Sequence, residues 1–365
     1  MGSDMATRSS TEFSPTLEQD LPENGLGRII RAKSPLRISF SGGGTDFPHW
    51  YEKQPGAVLC CTINRYARVT LYPRRDLEVR IRSVDVGYMV NYHIHEQPAY
   101  DGVLDLAKAA IRRLGASRGM DVDVRSDAPA GSGLGGSSAL VAAVIGAVAA
   151  HEGHQLDNYG LAELNYLIER SDLKVPGGKQ DQYATTFGGF NLIEFSGDRV
   201  LVNPLRIRPD TLNYLEAHLL LCYTGAVRVD QGLIDKQIRF FHEGRKRTLD
   251  GMQSLYDLVF EMKRSLLTGK LNEFGELLHE AYLSKKRMNP AVSSGTNADL
   301  LYDEARREGA VGGKLLGAGG GGYLLLYCET HCQHKVRHRL ETLGGQFTDF
   351  SFEESGLQSW RTHCA

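Results

Sequence analysis

Pro129-Ala130-Gly131-Ser132-Gly133-Leu134-Gly135-Gly136-Ser137-Ser138-Ala139-Leu140 is the stretch on which the reading of this 365-residue chain turns. It follows a short strand predicted at Val122-Asp123-Val124 and opens a small-residue helix predicted over Ser137 to His151. Successive backbone N–H groups and a helix N-terminus then face one point, which suits an anion, phosphate above all. The glycines Gly131, Gly133, Gly135 and Gly136 around Leu134 remove side chains that would block close approach. Ser137 and Ser138 offer hydroxyls to a phosphate oxygen or a Mg²⁺ ion. No lysine precedes the serines, which excludes the Walker pattern, and the spacing does not fit the dinucleotide fingerprint G-x-G-x-x-G with its following acid. A permissive Gly/Ser turn ahead of a packed helix would contain the same residues, so the loop counts through its company.

Upstream, Ile38-Ser39-Phe40, Ala57 to Ile63 and Ala67 to Tyr72 read as strands of an antiparallel sheet, and Leu104 to Leu114 has helical spacing. Downstream come a helix over Leu161 to Ser171, ended by Pro176-Gly177-Gly178, and strands at Phe190 to Phe195 and Leu219 to Tyr223. Helical patterns at Arg245 to Leu267 and Leu271 to Lys286 precede a Gly-rich loop and strand over Gly317 to Cys328. The class is α+β. The length suits two domains with a cleft between them: a flexible tail over 1–28, a first domain over 29–189 and a second over 190–365, with the boundary near Gly189.

Lys plus Arg number 42 against 44 Asp plus Glu, a net charge of −2, without the basic excess of a nucleic-acid binder. The longest apolar stretch, Ala139 to Ala150, is too short for a bilayer, and the N-terminus lacks a charged segment followed by an apolar one. The expectation is a cytoplasmic protein with no nucleic-acid or membrane partner; a homodimer is compatible. Six cysteines in this length are read as reduced and mostly buried. The Cys328, His331, Cys332, His334, His338 group is read as a strand end and an amphipathic helix rather than zinc.

Three segments in order carry a family resemblance: Pro35 to Asp46 (PLRISFSGGGTD), the loop above, and Gly313 to Gly322 (GKLLGAGGGG). Together they resemble the three motifs of the GHMP kinases, from about Arg31 to Tyr327. The resemblance implies a ribosomal-protein-S5-like N-terminal domain and a ferredoxin-like C-terminal domain with ATP and substrate between them. It implies that Arg37 is the basic residue of the first motif, Ser137 and Glu169 the Mg²⁺ site, and Asp181 the catalytic aspartate. Asp46 would hold sugar hydroxyls beside Gly43, Gly44 and Thr45. Gly43 and Gly44 replace the Glu-His pair of galactokinases, which argues against galactose. Gly43-Gly44-Thr45-Asp46, Gly178 to Ala184 and Gly312 to Gly317 look most like the D-glycero-D-manno-heptose 7-phosphate kinases. Those phosphorylate the anomeric O1 in GDP-heptose synthesis for capsule or lipopolysaccharide.

Phosphoryl transfer needs an aligned acceptor and neutralised charge. Asp181, at a helix start near Lys179, is expected to be ionised and to orient the hydroxyl, taking its proton late. An ordinary helix N-cap is the lesser alternative for this residue. Lys179 and Arg37 are candidates for stabilising the phosphoryl group in flight, and Glu169 could instead pair with Arg170 or Lys174 on a solvated face. Gly319 and Gly320 of the third loop are candidate substrate contacts, and Lys314 is expected to face solvent. A substrate phosphate would need further cations, drawn from Arg228, Lys236, Lys285 and Lys286, each otherwise a surface charge. His49 and Trp50 border the sugar or fill the core. The alternatives are a GHMP kinase for another sugar, such as fucose, and a non-catalytic sugar or nucleotide sensor.

Overall fold

Alternating apolar residues from Ile29 onward, and the β-branched run after Gly56, build two long strands that form the spine of the molecule. A computed structural model describes residues 29–227 and 232–362; the expected tail over 1–28 and the candidate Arg228 lie outside the described residues. The first part comprises β1 (Ile29–Ser41), α1 (Pro48–Tyr51), β2 (Gly56–Pro73), β3 (Glu78–Ser83) and β4 (Met89–His93). It continues with α2 (Asp105–Leu114), β5 (Met120–Ser126), α3 (Gly136–Glu152), α4 (Asn158–Leu167), α5 (Gln180–Phe187), β6 (Phe190–Ser196) and β7 (Arg199–Pro204). Next come α6 (Pro209–His218), β8 (Leu219–Val227), α7 (Gly232–His242), α8 (Lys246–Thr268), α9 (Leu271–Met288) and α10 (Ala298–Arg307). The hairpin β9 (Ala310–Leu315) and β10 (Gly321–Cys328), then α11 (Thr330–Thr342), β11 (Gln346–Phe347), β12 (Phe352–Glu353) and β13 (Gln358–Thr362) close the chain.

The first sheet has the order β13-β1-β2-β5-β3-β4 with β6, β7 and β12 attached through β2. It does not stop at Gly189, where the sequence placed a boundary. β2 is 18 residues long, so Ala67 to Pro73 pair with β5 while Gly56 to Cys61 pair with β6. Strands β12 and β13 return from the far end of the chain to pair with β2 and β1. Measured by sheets, the second unit runs from β8 to β11, and its sheet has the order β11-β8-β10-β9, all antiparallel. A strand, helices, a hairpin, a helix and a strand in that order form the ferredoxin-like arrangement.

Two cores matter to the site. Helix α3, small-residued and buried along most of its length, packs with α2 against Ile30, Ala32, Val69 and Leu71. Past a register shift between Pro35 and Leu36, Leu36, Ile38 and Phe40 join a core shared with Val259 and Met262 of α8 and Phe274 of α9. The irregularity re-aims the strand, as bulges do, and the intervening Arg37 and Ser39 line a cavity between the two units.

Candidate active site

The cavity measures 320 Å³, in the range of small-molecule sites. One wall is the 129–135 loop leading into α3, whose residue Gly135 adopts φ 72° ahead of the helix. The loop is clamped from both sides. Arg37 N–H donates to Leu134 O (2.9 Å), and Tyr323 N–H donates to Ser132 O (3.0 Å). A β-carbon on Gly317 would fall 2.5 Å from Gly133 Cα, so the third glycine loop lies backbone against backbone on the first. This is the close approach that the two Gly-rich motifs encode.

Arg37 is buried, 3% exposed, and reaches across to α5: Nε and Nη2 both lie 2.7 Å from Asp181 Oδ1, while Nη1 donates to Gly133 O at 2.6 Å. One guanidinium thus fixes the aspartate relative to the glycine loop. Asp181 itself is 25% exposed and lines the cavity. Both contacts fall on Oδ1, so the pair does not use the second carboxylate oxygen.

Asp46 is buried beneath the start of α5, accepting from Gly44 N–H (2.9 Å) and Gln180 N–H (3.1 Å). A β-carbon at position 178 would sit 2.0 Å from Asp46 Oδ2, which is why glycine stands there. Burial pushes this carboxyl above the usual range, and the Asp181 charge adds to the rise. Two backbone donors hold an acidic group poised to exchange hydrogen bonds with a polyol.

Glu169 lies in a wide turn, Ile168–Asp172, that continues α4; such turns recur at functional sites. Its Oε2 accepts from Arg170 Nη1 (2.8 Å) and Gln182 Nε2 (2.9 Å). Its Oε1 is buried with no hydrogen-bond partner. Burial pushes the carboxyl up, against lowering by Arg170 and Ser138. An orphaned carboxylate oxygen lining the same cavity as Ser137 and Ser138 is the hard oxygen donor set that Mg²⁺ requires. The Arg170 pairing read from the sequence is present, but on a buried carboxylate rather than a solvated face.

Several expectations are corrected. Lys179 does not line this cavity: its Nζ lies 3.1 Å from Glu163 and 4.5 Å from the Tyr166 ring centre. Following α5 back from Asp181 turns it to the opposite side. Thr45 spends its hydroxyl on Gly42 O and Ala57 O inside the core, and Leu134 contributes backbone only, its side chain being buried. Gly43, Gly44 and Gly319 line the cavity, whereas Gly320 donates its N–H to Val292 O (2.7 Å) and does not. Trp50 is core, donating to Pro55 O.

Two lysines read as surface charges form the cavity floor. Lys314 is buried and donates to Ser39 O (3.0 Å) and Phe40 O (2.7 Å); Lys285 is buried and donates to Leu315 O (2.8 Å) and Gly317 O (2.5 Å). Burial first, and Arg37 nearby, push Lys314 down to about 7. Burial, then Lys314 and Arg37, hold Lys285 well below the usual range. Amines kept from carboxylates and pressed against carbonyls lose their proton readily and would regain the charge beside an anion. Lys286, by contrast, pairs with Asp299 at 2.9 Å.

Residues 102–189 match the GHMP kinases N terminal domain and residues 262–343 the GHMP kinases C terminal. The D-glycero-alpha-D-manno-heptose 7-phosphate kinase of Campylobacter jejuni is 35% identical over 340 residues, covering 92% of this chain and 99% of that protein. The L-fucokinase/L-fucose-1-P guanylyltransferase of Bacteroides fragilis is 28% identical over 82% of this chain, which spans 34% of that longer protein. The crystal structure of a D-glycero-D-manno-heptose 1-phosphate kinase from Bacteroides thetaiotaomicron superposes with a TM-score of 0.77 at 30% identity. That superposition covers 92% of this chain and 100% of that one.

Proposed function

The chain belongs to the GHMP kinase family, and from that premise we propose that it transfers the γ-phosphoryl group of ATP to O1 of D-glycero-D-manno-heptose 7-phosphate, giving the 1,7-bisphosphate. The observation that carries the reading is the joining of Arg37, Asp181 and the glycine loop by one set of hydrogen bonds, with Asp46 under the same helix start. Phosphate donor and hydroxyl acceptor would thereby meet at one carboxylate.

The residues divide the work. The 131–138 segment would hold the ATP phosphates through backbone N–H groups and the start of α3. Asp46, with Gly43 and Gly44, would take sugar hydroxyls. Asp181 would orient the O1 hydroxyl and accept its proton as the P–O1 bond forms and the bond to the ADP oxygen breaks. Arg37, Lys285 and Lys314 would offset charge on the transferring group. Ser137 and Glu169 would hold Mg²⁺, which neutralises phosphate charge when bound. The 1,7-bisphosphate fits GDP-heptose synthesis for capsule or lipopolysaccharide in the cytoplasm. No helix among the described residues is long and apolar enough to cross a membrane.

ADP release with Mg-ATP tests this across heptose 7-phosphate, heptose 1-phosphate, the unphosphorylated heptose, mannose, fucose and galactose, with Asp181→Asn as control. Asp181-dependent turnover of heptose 7-phosphate supports the reading. Preference for a free sugar overturns the substrate and keeps the kinase; absence of Asp181-dependent turnover on every acceptor points to a sensor.

A further inference from the structure

Beside the reaction cavity lies a second one of 510 Å³, and the two share Phe47, Arg170, Val175, Pro176 and Gly177. Helix α7 runs along both, turning Ile234 and Gln237 toward the first and Ile238 and His242 toward the second. The second cavity is basic: Lys53, Lys174 and Arg170, the last paired with Glu169 outside the lining, stand with two imidazoles, His49 and His242, against one lining carboxylate, Glu52. Neither Lys53 nor Lys174 has a carboxylate partner among the described residues; Lys53 Nζ instead sits 5.1 Å from the Phe241 ring centre.

Two buried nitrogens on its walls, His49 Nε2 and Arg170 Nε, have no hydrogen-bond partner. Unpaired buried polar atoms are costly and call for a ligand or water. Lys174 holds φ 55°, a left-handed backbone that a side-chain-bearing residue rarely adopts. Its neighbour Val175 fixes the loop by donating to Glu169 O at 2.9 Å. Such conformations persist where the surroundings impose them and cluster at ligand clamps. Burial first, then the His242 and Lys53 charges, push the His49 imidazole down to about 4.

We infer that the second cavity is the subsite for the phosphate ester the sugar already carries, at the end remote from the hydroxyl being phosphorylated. The inference rests on the sugar-phosphate reading above. With the reacting hydroxyl at Asp181 and ring hydroxyls at Asp46, the chain of contacts continues through Phe47, the next residue, into the cationic walls. A phosphate dianion accepts several charge-assisted hydrogen bonds at once, which Lys53 and Lys174 supply, with the unpartnered Nε–H of Arg170, whose other nitrogens already bond Glu169, Val175 O and Gly178 O. None of Lys236, Lys285 and Lys286 lines this cavity.

The test is Lys53→Gln/Lys174→Gln in the full chain, both side chains being exposed and neither in an ion pair among the described residues, with a melt to check the loss of the Lys53 contact on Phe241. Steady-state kinetics with heptose 7-phosphate, the unphosphorylated heptose and Mg-ATP are compared with wild type. The KM for heptose 7-phosphate should rise about 10–100-fold with a much smaller fall in kcat, collapsing the wild-type preference for the phosphorylated acceptor. An unchanged KM, or an equal rise for both acceptors, overturns the subsite while the substrate reading stands. A rise in the KM for ATP alone also overturns it, by assigning the cations to the nucleotide. Wild-type protein that turns over only a free sugar overturns both, and does so before any substitution is made.

Discussion

Arg37 places two guanidinium nitrogens on a single oxygen of Asp181, Nε and Nη2 each 2.7 Å from Oδ1. The pair is structural and chemical at once, and substitutions separate the two roles. Asp181→Asn should lower kcat by about 10²–10⁴-fold, the usual contribution of a positioned base. It should also destabilise by about 3 kcal/mol, because a buried guanidinium loses its counter-charge. Arg37→Met/Asp181→Asn should recover much of that stability and none of the activity, as read by denaturant melts beside ADP release. A double variant no more stable than Asp181→Asn would mean that Arg37 matters mainly as the clamp on Gly133.

Lys179 gives the opposite pattern. Its ammonium serves Glu163 and the Tyr166 face, so Lys179→Met should lower the melting temperature while kcat changes by less than about threefold, far from the loss expected for a group at the reacting atoms. A kcat loss comparable with that of Asp181→Asn would reinstate it as a catalytic residue.

The legible parts of the site were those whose demands fall on backbone. Close approach and anion binding leave glycines, so the loop at 131–136 and its partner at 317–322 were readable, whereas Asp181, Glu169 and Asp46 came from the resemblance to the GHMP kinase motifs. Side-chain direction was not readable. Lys285 sits in the run Lys285-Lys286-Arg287 at the end of α9, a pattern that ordinarily marks a solvated helix terminus, yet α9 packs on β9 and buries it. Lys314 is the one charged residue of β9, which has no polar alternation to place it, and only its bonds to the carbonyls of Ser39 and Phe40 on β1 show that it is inside. The return of β12 and β13 to the first sheet is a long-range pairing with no local period to betray it.

Gly317→Ala tests the loop-on-loop contact. The added carbon meets Gly133 Cα at 2.5 Å in a residue already at φ 64°, so strain of about 1–3 kcal/mol is expected in the melt. The KM for ATP should rise with it, since the displaced atoms are those of the phosphate loop. Gly87→Ala, at φ 71° with open space around it, is the control: it carries backbone strain alone and should leave the KM for ATP unchanged.

Glu169→Gln should act in opposite directions on stability and on metal dependence. The carboxyl is pushed up by burial, so its folded form is favoured while protonated, below the ordinary carboxylate range, and that advantage is lost as pH rises through the folded value. The variant should therefore melt higher than wild type at about pH 8 in the absence of metal, with the gain fading toward about pH 4. Half-saturating Mg²⁺ in the kinase assay should rise by about tenfold or more, as follows when a ligand or its supporting shell is lost. Unchanged Mg²⁺ dependence would remove Glu169 from the metal site.

If the ATP phosphates lie over Lys314 as proposed, nucleotide binding should be proton-linked. At about 7, its ammonium is mostly deprotonated in the free protein at about pH 8, and an arriving phosphate restores the charge by drawing its pKa upward. Binding of Mg with a non-hydrolysable ATP analogue should then take up protons at about pH 8, less so at about pH 6 where Lys314 is already protonated. Calorimetry in buffers of different ionisation enthalpy measures the uptake. Lys314→Met should reduce it and leave the share owed to Lys285, whose pKa burial also lowers. The same linkage governs stability: since the unfolded lysine binds its proton more tightly, the free protein gains stability from this group as pH rises from about 7 toward the ordinary lysine range. Lys314→Met should accordingly stabilise the free protein most below about pH 7. Proton uptake unaltered by Lys314→Met would place the phosphates away from this floor of the cavity.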